Sequence, residues 1–271
     1  MLTSNPFAGL AATISPAVMQ WYVILMIVLV VVGTFADVVH KGSGKYFFEN
    51  WRKSKNKKGV KQVGGGELLS IAVQTAVVDV ATSGEFCNPR RRLSHLLGMY
   101  GFVLYVISTA VMVFDVSASA MWPQLWWLGG LMVCLGGYWF WFFIRVDVAA
   151  EGQSPFRFMK ADLFVVSLVL SVTLGLVWAA AGGGAGVLFG LYILATTVLF
   201  GSVFWSKFAH MFYKPAAAFE KRVSRANGTA ENLPTQTRDD TEQQQRHSME
   251  LLRNAPMDMG LGIKREAPRH Y

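Results

Sequence analysis

"LLGMYGFVLYVISTAVMVF" (residues 96–114) runs for nineteen residues without an Asp, Glu, Lys or Arg. A helix on a water-soluble domain carries a polar face, and this stretch has none. About 20 apolar residues are what a helix needs to cross the hydrocarbon core of a bilayer. The pattern recurs on both sides: residues 21–36, 121–144, 163–182 and 184–205 also lack those four residue types. The first of these reaches spanning length when it is extended to His40, with that end among the headgroups. The runs are continuous rather than alternating, which argues against a transmembrane β-barrel. The expected fold is an all-α membrane protein with five transmembrane helices. Composition agrees, with 53% hydrophobic and 15% charged residues.

Charge sets the expected orientation. Eleven Lys/Arg lie in residues 41–94, three (Arg145, Arg157, Lys160) flank the turn between spans three and four, and eleven follow Trp205, which accounts for all 25. Residues 1–20, 115–120 and 181–187 have none. The positive-inside rule then places the N-terminus outside and the C-terminus in the cytoplasm of a multi-pass inner (cytoplasmic) membrane protein. No Lys or Arg precedes Lys41, so the basic region of a cleavable signal peptide is missing, and the first helix is expected to be retained. A net charge of +8 would also suit a nucleic-acid binder, but five apolar runs argue for the lipid bilayer as partner and against nucleic acid.

Residues 1–222 form the expected membrane domain, with a cytoplasmic loop at 41–94, and residues 223–271 form a flexible cytoplasmic tail. In the loop, "RKSKNKKGVK" (52–61) suits anionic headgroups. "ELLSIAVQTAVVDVA" (67–81) reads as a short apolar-rich helix, too short and too polar at Gln74 and Asp79 for a sixth span. In the tail, residues 248–271 regain Leu and Met among charges. That fits either a peptide that orders on a partner or an unstructured end. Cys87 and Cys134 form no ligand cluster, so no iron–sulfur centre is expected in the chain itself.

Three histidines fall at span ends. By the expected topology His40, His95 and His210 all lie at the cytoplasmic level. Two imidazoles at equal depth on facing helices are what a six-coordinate haem b needs. Gly98, three residues after His95, would let a flat macrocycle approach the backbone. Arg91, Arg92 and Lys207 could pair with its propionates, and Lys207 could serve a quinone instead. Histidines at span ends are also common simply as interfacial polar residues, and arginines there serve topology regardless.

"RRRLSHLLGMYGFVLY" (90–105) and "FWSKFAHMFYKP" (204–215) resemble the haem-bearing stretches of the nitrate reductase gamma-subunit superfamily. This superfamily includes membrane subunits of quinone-interacting oxidoreductases. The resemblance covers roughly residues 15–215. Within it, "SKFAHMFYKPAAAFEKRV" (206–223) and the lack of a soluble redox domain most resemble the membrane-anchor family of dissimilatory adenylylsulfate reductase in sulfur-oxidising bacteria. The resemblance implies five spans, an outside N-terminus and haem iron held by His95 and His210. It implies electron transfer between a cytoplasmic flavin and iron–sulfur enzyme and the quinone pool. The nitrate reductase subunit carries a second, deeper haem whose ligand positions correspond to Tyr105 and Tyr192. Two tyrosines do not make a bis-histidine site, so one haem is expected, with quinone near the cytoplasmic face. His40 and Lys207 are the candidates to shape that quinone site. The alternative is a haem-free tether that recruits the enzyme to the membrane. A small transporter ranks last, because the midplane offers little beyond Thr, Ser, Tyr and Gly.

Overall fold

The structure is a computed structural model and describes residues 2–56, 61–84, 86, 88–149 and 152–230. Among the described residues the chain is helical, with no strand. The α-helices are α1 (Pro16–His40), α2 (Ser43–Asn56), α3 (Gly65–Gln74), α4 (Pro89–Phe114), α5 (Met121–Trp139), α6 (Val146–Ala149), α7 (Leu163–Ala180), α8 (Val187–Gly201) and α9 (His210–Ala226). A π-helical stretch extends α3 over Thr75–Ala81, and another extends α5 over Phe140–Ile144. Four helices are long and apolar enough to cross a membrane: Pro16–His40, Pro89–Phe114, Met121–Ile144 and Lys160–Ala180. The chain is a membrane protein by that measure. The apolar helix α8 has only 15 residues.

The early end of α8 has a local cause. Gly201 and Ser202 form the Gly/Ser pair at which helices commonly kink. The Ser202 N–H still donates to the Val198 carbonyl (3.0 Å), but Trp205 and Ser206 N–H both turn back to the Ser202 carbonyl (3.0 and 2.9 Å). The Ser206 hydroxyl then accepts from the Phe208 N–H (3.2 Å). The Ser206 hydroxyl thus stands in for a helical acceptor at Phe208. Helical structure resumes at His210.

The chain divides into two compact units. The first comprises Met1–Lys41, Leu93–Ile144 and Pro155–Met211 and contains the apolar helices. Its centre is α5, which carries two glycine pairs seven residues apart. Gly129 and Gly136 face α4: a Cβ on Gly129 would lie 2.7 Å from the Gly101 carbonyl oxygen, and one on Gly136 would lie 2.7 Å from that of Ser94. Gly130 and Gly137 face α7, where added Cβ atoms would meet Leu176 (2.7 Å) and Val169 (2.3 Å). With little hydrophobic driving force between helices in lipid, such close backbone approach is how they gain packing energy. The Ser94 hydroxyl adds a bond to the Gly136 carbonyl (2.8 Å). By contrast α1 presents Trp21, Val31 and Phe35 at 69, 62 and 72% exposure, as a lipid-facing helix does. The N-terminal stretch packs inward: the Asn5 amide donates to the Met112 carbonyl (2.9 Å), and Leu10 is buried.

The second unit comprises Gly42–Arg92, Arg145–Ser154 and Phe212–Tyr271, of which 231–271 lie outside the described residues. Here α2 and α9 meet through Trp51 and Phe219, stacked at 5.7 Å. Arg222 grips the Asp79 carboxylate with a fork of two bonds (Nε to Oδ2, 2.6 Å; Nη2 to Oδ1, 2.9 Å). Hydrogen bonding to that carboxylate, the largest influence, raises the Arg222 pKa above its usual value. Helix α9 continues through Ala226, with Val223 and Ser224 buried. The expected docking segment 248–271 lies outside the described residues.

Candidate functional site

His95 lies on the second turn of α4 and is exposed. Ser94 beside it is buried against α5, so the helix is anchored while the imidazole faces outward. On an α-helix, positions 95, 98 and 102 lie along one stripe. Gly98 occupies the middle of that stripe, and a Cβ there would meet no atom within 4 Å. Next along it is Phe102, where the chain leading to His210 arrives. The ring of Phe208, 2% exposed, packs on Phe102 (6.1 Å), Phe164 (5.1 Å) and Phe200 (6.0 Å). His210, two residues on, is exposed and opens α9, its N–H donating to the Lys207 carbonyl (3.2 Å). It therefore does not continue the fifth apolar helix, as residues 184–205 had suggested. It follows a turn whose buried Phe208 is seated on α4, α7 and α8.

Among the described residues no group of three or more His, Cys, Asp or Glu is placed to hold a bare metal ion. A haem needs only two protein ligands, because the porphyrin supplies four nitrogens. The position at Gly98, between His95 and the Phe102–Phe208 contact, is open space on that face of α4.

Lys207 is exposed on the non-helical segment. His40 ends α1, exposed, with its ring 5.4 Å from that of Phe204 on the same segment. Both quinone candidates thus adjoin residues 202–209. Arg91 and Arg92 belong to the second unit. There Arg92 Nε donates to the Thr82 carbonyl (2.7 Å), and the Arg91 N–H reaches Asn88 Oδ1 (3.4 Å).

Tyr105 and Tyr192 come together. The Tyr105 hydroxyl donates to that of Tyr192 at 3.1 Å, and both residues are buried. Trp126 stacks on Tyr105 (4.9 Å), Trp178 on Tyr192 (5.7 Å), and Phe7 packs against both indoles. Gly175 makes room, for a Cβ there would lie 2.2 Å from the Tyr105 hydroxyl. This cluster agrees with reading the tyrosines as phenols packed between helices.

Sequence reasoning passed over one group. Asp37, near the end of the first apolar run, is buried, with 1% exposure. No family model, curated protein or solved structure matches the chain.

Proposed function

We propose that the chain is the membrane anchor and electron-transfer subunit of an oxidoreductase complex in the inner (cytoplasmic) membrane. It would link a cytoplasmic flavin and iron–sulfur enzyme to the quinone pool through a single haem b. The observation that carries this reading is the seating of Phe208 on Phe102, with the open Gly98 stripe leading from there back to His95. It brings the chain next to one candidate ligand onto the helix that bears the other. His95 and His210 would hold the iron, with Lys207 available to a propionate or to quinone. Bound there, haem b supplies a one-electron relay between the enzyme and quinone.

The resemblance names the enzyme as adenylylsulfate reductase, which working oxidatively converts sulfite and AMP to adenylylsulfate and releases two electrons. This chain holds none of that substrate chemistry. Arg91, Arg92 and the other basic residues of 41–94 supply a positive face for the enzyme.

The reading takes α8 with residues 202–209 as the fifth span. Fifteen residues of helix cover about 22 Å at 1.5 Å each, short of a hydrocarbon core of about 30 Å. Non-helical backbone at membrane depth is tolerated where protein covers it. Ser202, Val203, Ser206, Phe208 and Ala209 are all buried, which supports that assignment. Reporter fusions after residue 120 or near 184 should then read as periplasmic, and fusions near 60, 153 and 230 as cytoplasmic. Inversion at 184 or 230 would separate His95 from His210 across the bilayer and end the shared-haem reading.

The direct test is a reduced-minus-oxidised optical spectrum of the purified chain with a haem assay. One haem b per chain is expected. A folded protein without haem leaves the tether instead, and a ratio near two contradicts the filled Tyr105–Tyr192 region.

A further inference from the structure

The second unit presents outward an apolar face that a water-soluble domain would bury. Along α3 and its π-helical extension, Leu69, Ala72, Val73, Ala76, Val77 and Val80 recur at the three- and four-residue spacing of a core-facing helical stripe. All six are exposed, and the four large ones are 37–67% exposed. The opposite side is the one the unit covers. Ile71 and Thr75 are buried there, and the Thr75 hydroxyl donates to the Ile71 carbonyl (2.8 Å). The polar groups of the helix have partners within the unit. Arg222 of α9 holds the Asp79 carboxylate in its fork and reaches Gln74 Oε1 through Nη1 (3.4 Å). Glu67 is paired with Lys61 (3.1 Å). Both acids of the segment are thus matched by cations, and what remains outward is a continuous apolar stripe. Apolar side chains scattered singly over a surface are ordinary, but a contiguous patch marks a contact.

The chain on either side indicates what lies against the stripe. The segment is enclosed between α1 and α4, both long and apolar enough to cross a membrane. Only Lys41 and Gly42 separate α1 from α2. From Ala81 to the start of α4 at Pro89 the chain can reach at most about 29 Å, at about 3.6 Å per residue. The segment is therefore tethered close to the bilayer at both ends. Residues 41–94 carry eleven Lys/Arg against four Asp/Glu, an excess that anionic headgroups complement. Ten α-helical and seven π-helical residues fall short of the roughly 20 that cross a hydrocarbon core. We propose that residues 65–81 lie in the plane of the membrane surface as an amphipathic anchor, with the Leu69–Val73–Val77–Val80 stripe sunk among the acyl chains of anionic phospholipid. A helix of this kind buries its apolar face about 5–10 Å into the boundary between headgroups and acyl chains. The Arg222–Asp79 fork then ties α9 to the anchor. The proposal is independent of the haem and quinone reading.

The test uses the full chain in nanodiscs of phosphatidylcholine and phosphatidylglycerol, on a background of Cys87→Ser and Cys134→Ser. Nitroxides are attached through Leu69→Cys, Val73→Cys and Val77→Cys, with Ser70→Cys, exposed but off the stripe, as the reference. Dissolved oxygen concentrates among acyl chains and a water-soluble nickel chelate is kept out of them, so their collision rates with the nitroxide report depth. The three stripe positions should favour oxygen and Ser70 the chelate, a reversal between adjacent residues. Chelate access at the stripe equal to that at Ser70 overturns the proposal and leaves the stripe to a cytoplasmic protein. Exclusion of both reagents also overturns it, because protein, such as a second copy of the chain, then covers the stripe. The unmodified chain supplies a second measurement that does not depend on the variants folding. In nanodiscs holding phosphatidylglycerol with an acyl-chain diazirine, illumination should leave lipid adducts within residues 65–81, and their absence overturns the proposal. The same diazirine on phosphatidylcholine should give about fivefold fewer adducts, as about 1 kcal/mol for one basic residue near the surface implies. Equal labelling by the two lipids overturns the preference for anionic phospholipid.

Discussion

His95→Ala and His210→Ala are each expected to abolish the haem b spectrum of the purified chain. A six-coordinate haem held by two imidazoles loses half its protein ligation when either goes. The two residues lie on different helices, so neither can replace the other. Both are exposed, and exposed substitutions usually shift stability by less than about 0.5 kcal/mol. Loss of the spectrum in a protein that still elutes as a folded particle therefore reports on ligation rather than on unfolding. His40→Ala is the control, expected to retain the full spectrum. If either ligand variant keeps its haem while His40→Ala loses it, the assignment must move to α1.

The largest effect on stability is expected from Gly129→Ala. Most surface glycines in a helix improve with alanine, because glycine costs about 1 kcal/mol there. At Gly129 the new Cβ would lie 2.7 Å from both the Gly101 carbonyl oxygen and the Tyr105 nitrogen. These are backbone atoms of α4, so no rotamer change can relieve the contact, and the two helices must separate. Overpacking of this kind costs about 1–3 kcal/mol, and separation would also disturb the Tyr105–Tyr192 bond. The matched control is Gly190→Ala on α8, where an added Cβ meets nothing within 4 Å. Thermal unfolding in detergent should show Gly129→Ala markedly less stable than the parent and Gly190→Ala equal or better. Equal melting of the two variants would mean that α4 and α5 are not in backbone contact.

Much of the architecture was legible because a bilayer demands long uncharged runs, and such runs are visible without any knowledge of packing. Residues 96–114, 121–144 and 163–182 became helices within a few residues of their expected ends, although α4 begins as early as Pro89. Helices α2 and α9 were not read as helices, since their chains are polar or basic and α9 contains Pro215. What holds them is mutual contact, such as Trp51 on Phe219, which hydropathy does not register. The break after Gly201 was missed for a related reason. Residues 202–206 stay uncharged, and hydropathy does not see that the backbone turns back on Ser202 and that the Ser206 hydroxyl takes the Phe208 N–H. The Gly201–Ser202 pair was the available signal. In the candidate site, His95, His210 and Gly98 could be picked out by residue type and spacing. The burial of Asp37 could not, because no pattern within α1 shows which part of that helix other segments cover.

The aromatic plug of Tyr105, Tyr192, Trp126 and Trp178 also bears on energy conservation. In the proposed arrangement, with haem held by His95 and His210 and quinone near the cytoplasmic face, the redox groups lie on the cytoplasmic side of this plug. Electrons would reach quinone, and protons would join them, without either crossing the membrane. A charge carried through the bilayer is worth about 2.3 kcal/mol for each 100 mV of potential. Turnover in this protein would store none of it. The complex would be electrically silent, feeding the quinol pool at a rate that membrane voltage neither drives nor restrains.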